Sequence, residues 1–109
     1  MRKFKYLYIS GPMTGLPRLN FPAFAKATKA LRKAGYKVIS PAEMDGKPDK
    51  NAVWSDCMRR DVSVIMKKCY AMALLPGWFW SSGAKVEIFI SWLVGIEIHY
   101  VDYYVKRKI

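Results

Sequence analysis

The sequence predicts a small α/β domain, a three-layer sandwich around a parallel sheet in the strand order 2-1-3-4, and three observations carry that prediction. Short β-branched and aromatic runs alternate with longer amphipathic stretches. Glycine or proline punctuates nearly every junction, at Gly11-Pro12, Gly35, Pro41, Pro76-Gly77 and Gly95. A strand, a helix and a second strand in succession imply a right-handed crossover and hence a parallel pair. At 109 residues, 52% hydrophobic and 25% charged, residues 1–109 form one globular domain with a single core and little to spare.

Lys5 to Ser10 is the first strand, ended by Gly11-Pro12. The loop Gly11 to Pro17 carries two glycines and two prolines, so its backbone can approach a ligand closely, although it is neither GxGxxG nor a Walker loop. Asn20 is placed to cap a helix over Phe21 to Ala34. Phe21, Phe24, Ala27, Thr28 and Leu31 share one face of it, and Lys26, Lys29, Arg32 and Lys33 lie largely on the other. After Gly35, Tyr36 to Ser40 is the second strand, and Pro41 to Lys50 reads as a surface loop over the site. Ala52 to Lys68 is helical, with Asn51 as its cap and Trp54, Cys57, Met58, Ile65 and Cys69 as an apolar stripe. Asp61 stands inside that stripe, four residues from both Cys57 and Ile65. Ala71 to Leu75 is the third strand and Gly83 to Val94 the third helix, with Ser81 and Ser82 as cap candidates. Ile96 to Val101 alternates with period two as a fourth, edge strand. Tyr103 to Ile109 fits either a short fifth strand or a frayed end. This arrangement is the flavodoxin-like (Rossmann-like) sandwich, in which ligands bind at the carboxyl edge of the sheet.

Nineteen Lys and Arg against 8 Asp and Glu give a formal charge of +11, which together with an uncovered helix N-terminus favours an anionic ligand. The basic residues are scattered, so a solvated surface is preferred over a dedicated nucleic-acid stripe. Cys57 and Cys69, twelve residues apart with no CxxC, lack metal logic and read as reduced core thiols of a cytoplasmic protein. No metal and no cofactor is expected. The amino terminus shows no signal-peptide pattern, and the longest uncharged apolar run, Ile88 to Ile96, is too short to span a membrane. The single histidine, His99, lies well inside the last strand, which argues against Ser–His–acid chemistry.

The carboxyl edge is expected to gather Tyr8, the loop Ser10, Gly11, Met13 and Thr14, Asp61, and the segment Trp78 to Glu87 with Ser81, Ser82 and Gly83. Glu87, flanked by Val86, Ile88, Phe89 and Ile90, is either a surface glutamate or a carboxylate facing a partner or a reacting centre. Asp61, on a buried face, is either held by Arg60 or a buried hydrogen bond, or it is working. Two carboxylates, a tyrosine and an aromatic rim suit chemistry at an anomeric carbon. One carboxylate would engage C1 of a sugar, the other would serve the leaving group, and Trp78, Phe79 and Trp80 would stack a planar base.

The blocks Tyr8-Ile9-Ser10-Gly11-Pro12-Met13-Thr14-Gly15, Trp54 with Arg60-Asp61, Leu74-Leu75-Pro76-Gly77-Trp78, and Ser81-Ser82-Gly83-Ala84-Lys85-Val86-Glu87 cover nearly the whole chain. In them the sequence resembles a domain-of-unknown-function family, frequent in phages, within the nucleoside 2-deoxyribosyltransferase superfamily. The resemblance implies Glu87 as nucleophile, Tyr8 as its hydrogen-bond donor and Asp61 as the group serving the leaving base. It also implies contacts from Gly11, Met13 and Ser81 to the sugar or its 5′ end, and a homo-oligomer with shared sites. Thr14 stands where relatives acting on 5′-monophosphates carry an arginine, leaving Arg18 as the nearby cation, and Tyr70 stands where an aspartate is common. The expected function is an N-glycosidase or deoxyribosyltransferase acting on a nucleoside or nucleotide. The alternatives are a non-catalytic binder of nucleotides or nucleotide signals and a basic nucleic-acid-binding accessory protein.

Overall fold

The computed structural model describes residues 3–109. Four strands, β1 (Tyr6–Ser10), β2 (Val38–Ile39), β3 (Cys69–Leu74) and β4 (Glu97–Tyr100), form one parallel sheet in the order β2-β1-β3-β4. Around it pack helices α1 (Phe21–Lys33), α2 (Pro41–Asp45), α3 (Trp54–Lys68), α4 (Ser82–Leu93) and α5 (Val101–Arg107), with 3-10 turns at Pro17–Asn20 and Trp78–Trp80. The predicted flavodoxin-like order is the observed one.

Period-two alternation sorts the central strands onto two faces. Leu7 and Ile9 of β1, with Ala71 and Ala73 of β3, meet Phe24, Ala27 and Leu31 of α1 and Tyr104 of α5. Tyr8, Met72 and Leu74 point the other way and meet Ile65 of α3. Ser10 shares the parity of Tyr8 and is fully buried, so both hydroxyls reach the α3 and α4 side of the sheet. Gly11 follows where the chain leaves the sheet. A Cβ there would lie 2.6 Å from Leu75 Cβ, so any larger residue would push the loop off β3.

Several local expectations are corrected. Pro41 to Lys50 is not all loop, because Pro41–Asp45 forms α2. Pro41 occupies the first turn, where its missing N–H costs nothing, and Gly46 at φ 84° stops the helix. The tail is neither strand nor frayed end. Val101, Tyr104 and Val105 fall at helical spacing and pack α5 onto the first core, with the Tyr104 ring edge-on to Tyr36 at 5.6 Å. Asn20 occupies the N-cap position of α1 as expected but makes no side-chain capping bond; it sits at φ 62° and its Nδ2 donates to Pro12 O at 2.9 Å, tying down the first loop. Nor does Asn51 cap α3, which begins after Val53 without a side-chain cap. The Asn51 N–H instead donates to Asp49 Oδ1 at 2.9 Å. Ser81 does cap α4, its Oγ accepting from the Ala84 N–H at 3.1 Å.

Helix α4 is packed with its polar side inward. Ala84, Glu87 and Ser91, spaced three and four apart, are its buried residues, whereas Phe89 and Trp92 are 59% and 68% exposed, beside exposed Val86 and Leu93. Among the described residues no helix is long and apolar enough to cross a membrane, and both Cys57 and Cys69 are free thiols.

Candidate active site

An acidic side chain on the buried face of an apolar helix is costly unless its neighbours receive it. For Glu87 they do. Glu87 is only 5% exposed. Tyr8 OH donates to its Oε2 at 2.9 Å, and Ser10 Oγ donates to its Oε1 at 2.7 Å. These donors come from one face of β1, two residues apart, so strand parity and the register of α4 across the sheet together build the pair.

Asp61, 6% exposed, completes the group from α3. Arg60 Nε and one terminal guanidinium nitrogen donate to Asp61 Oδ1 at 3.0 and 2.8 Å, and that terminal nitrogen also lies 2.7 Å from Asp45 Oδ1 at the end of α2. Asp61 also interacts with the Glu87 carboxyl and the Tyr8 hydroxyl. The reading of Asp61 as a carboxylate held by Arg60 is therefore the observed one, and the same side chain lines a cavity together with Glu87.

Burial raises the Glu87 pKa first, and the neighbouring Asp61 charge raises it further. The Ser10 and Tyr8 hydrogen bonds oppose this, and the carboxyl is pushed up to about 8. Asp61 is also raised by burial, against the pull of Arg60 in the opposite direction. Tyr8 is held well above its ordinary value, by burial and then by Glu87, and stays a proton donor. Burial and mutual repulsion of the two interacting carboxyls favour a proton held between them, and the raised value belongs to the pair.

Above Glu87 opens a cavity of about 670 Å³, within the size range of small-ligand sites. Gly11, Met13, Thr14, Ser81, Ser82 and Gly83 line it, as do Asp61 and Glu87, while Tyr8 and Ser10 lie behind Glu87 and act through it. The aromatic rim differs from the expectation. Trp80 lines the cavity and is 83% exposed, but Trp78 and Phe79 do not line it. Trp78 packs on the second core and its Nε1 donates to Tyr100 OH at 2.9 Å. Trp54, expected in a buried stripe, lines the cavity with Cys57 and Met58 instead. The spacing held the clue, because Trp54, Cys57, Met58 and Asp61 share one face of α3, and a face that carries a carboxylate can meet a cavity rather than the core. Also absent from the sequence reading were the roles of Arg60, Asp45, Asp49 and Lys50 in this lining. His99 lies elsewhere, stacked on Tyr103 with ring centroids 3.7 Å apart.

The raised Glu87 predicts how stability depends on pH. The raised value of about 8, carried by the pair to which Glu87 belongs, exceeds the ordinary 4.5, so between those values the native state binds more protons than the unfolded chain. Stability then falls as pH rises through that window. Glu87→Gln removes the Glu87 charge and keeps the side chain's outline, with one of the Tyr8 and Ser10 hydroxyls turning to accept from the new amide NH2. Its melting temperature should exceed that of the wild type at pH 9 by the equivalent of a few kcal/mol, with an upper bound of about 5, and the gap should shrink towards pH 5. Parallel melting curves for the two proteins across that range would contradict the buried, proton-sharing carboxylate.

No curated protein matches the chain. The family model described as Domain of unknown function (DUF4406) matches residues 5–100, from the lysine before β1 to the last residue of β4, so it takes in every residue that lines the cavity, and the chain belongs to that family.

Proposed function

We propose that the protein is an N-glycosidase or deoxyribosyltransferase that cleaves the base–sugar bond of a nucleoside or nucleotide, with Glu87 as nucleophile. The observation that carries this reading is a buried glutamate at the floor of a cavity, with a hydroxyl donor on each oxygen and a second carboxyl beside it. The relation of the family to the nucleoside 2-deoxyribosyltransferase superfamily, its phage association and a cytoplasmic location belong to the same proposal.

In the working tautomer the shared proton sits on Asp61 and the charge on Glu87. A Glu87 oxygen bonds to C1′ as the C1′–N bond breaks, the electron pair leaves with the base, and Asp61 delivers its proton to a base nitrogen. The ionised Asp61 that results is received by Arg60, already in place at 2.8 Å. Water or a second base then attacks C1′, releasing Glu87, and Asp61 takes up the proton from the attacking group. Tyr8 and Ser10 hold the carboxylate in one orientation throughout, so little reorganisation is left for the reaction itself. Trp54 and Trp80 offer flat surfaces to the base.

Incubation with a panel of deoxynucleosides and their 5′-monophosphates, followed by chromatography for free base, tests this reading. Release of base from at least one member is expected. Binding without any release would identify a binding module.

The outward apolar face of α4 supports a homo-oligomer, since Phe89, Trp92 and Leu93 lie together on it and are each more than half exposed. Light scattering at micromolar concentration should give a multiple of 12.6 kDa. Trp92→Glu should lower that mass, and a wild-type mass of 12.6 kDa would contradict the assembly.

A further inference from the structure

Four of the chain's eight acidic residues, Asp45, Asp49, Asp61 and Glu87, line this one cavity. Its lining includes two cations, Arg60 and Lys50. Arg60 is already committed, with one nitrogen 2.7 Å from Asp45 and 2.8 Å from Asp61. Arg18, near in sequence, lines a separate groove with Lys29 and Arg32. Even with one proton shared between Asp61 and Glu87, three charged carboxylates face two cations. Within a chain of formal charge +11, the ligand cavity thus has the opposite sign.

We infer that the substrate is a nucleoside with a free 5′-hydroxyl rather than its 5′-monophosphate, an inference that rests on the glycosidase reading of the same cavity. A phosphate monoester brings a charge of about −1.5 to −2 at neutral pH. Against that, the N-terminus of α4 supplies only about half a positive charge, and the Ser81 side chain already covers its Ala84 N–H. Lys50 supplies one more. A neutral hydroxyl needs no such compensation, and the hydroxyls of Thr14 and Ser82, which also line the cavity, suit it as donor or acceptor. The overall positive charge draws anions to the protein surface, but discrimination is decided within the cavity, where the carboxylates act over short distances.

The test compares kcat/KM for base release from one 2′-deoxynucleoside and from its 5′-monophosphate. The nucleoside should be favoured by about tenfold or more, the cost of one uncompensated repulsion of about one pKa unit's worth. Added salt screens exposed charge, so raising it from about 0.05 to about 0.5 M should narrow the ratio. Asp49→Asn keeps the oxygen that accepts from Asn51 and removes one charge, so it should narrow the ratio too. Equal or better use of the monophosphate by the wild type overturns the inference. If neither compound is cleaved, calorimetric binding of the same two compounds decides. Tighter binding of the nucleoside sustains the charge argument while the glycosidase reading falls, and tighter or equal binding of the monophosphate overturns it. Binding of neither at millimolar concentration overturns both.

Discussion

Glu87→Ala is expected to abolish base release, lowering kcat on the order of 10⁵-fold or more, the scale seen when a catalytic nucleophile is removed. The same substitution should leave the fold in place. Tyr8 and Ser10 lose their acceptor, which costs about 1–3 kcal/mol for buried hydroxyls. Removal of a carboxylate that burial holds near pKa 8 offsets much of that loss. Circular dichroism and melting temperature beside the chromatographic assay check both halves. Normal turnover by the variant would contradict the nucleophile assignment.

Asp61→Asn should slow release by about 10²–10⁴-fold, the usual worth of general acid–base help. Asparagine preserves the acceptor for Arg60 but has no proton to give. The loss should therefore be smaller for substrates whose base departs without protonation. The pH profile separates this role from a structural one. The wild type needs one proton on the pair, so its rate should fall above about pH 8 as the pair ionises fully. It should also fall in acid as Glu87 is neutralised. In Asp61→Asn the alkaline limb should vanish, because the remaining requirement is an ionised Glu87. An unchanged bell in the variant would place the acid elsewhere.

Much of this arrangement was legible in the sequence. The order of the sheet followed from strand and helix periods, and the end of β1 placed Tyr8 and the loop from Ser10 at the carboxyl edge, although the shared face of Tyr8 and Ser10 beneath Glu87 appears only in the folded structure. The position of Asp61 within an apolar stripe marked it as a buried carboxylate, and the structure buries it. Glu87 was harder to place. Helix α4 is apolar nearly all round, so no pattern within it says which side faces the sheet, and only packing against β1 turns the glutamate inward. Helix α2 was hidden because proline and glycine begin and end it, the same residues that mark loops, and with it went the Asp45–Arg60–Asp61 chain. The mistaken placement of Trp78 has a similar origin. Its sequence neighbours mark an exposed turn, but its hydrogen bond to Tyr100 on β4 depends on a strand far along the chain.

The fold explains why these groups coincide. Crossing from β1 to β3 at the centre of the sheet leaves a crevice at the carboxyl edge, and the first loop, α3 and α4 all begin or pass there. The cost is a buried cluster of carboxyls that is expected to destabilise the domain at alkaline pH, the kind of local frustration that functional sites carry.

The central claim is that Glu87 forms a bond to sugar carbon. Its most direct test is the intact-protein mass after mixing with a 2′-fluorinated 2′-deoxynucleoside, whose slowed second step lets the glycosyl-enzyme accumulate. The expected result is a mass increase equal to the fluorinated sugar without its base. Proteolytic mapping should locate it on Glu87, and the increase should be absent in Glu87→Ala. Release of free base from the unmodified nucleoside with no adduct at any time, or an adduct on another residue, would contradict it.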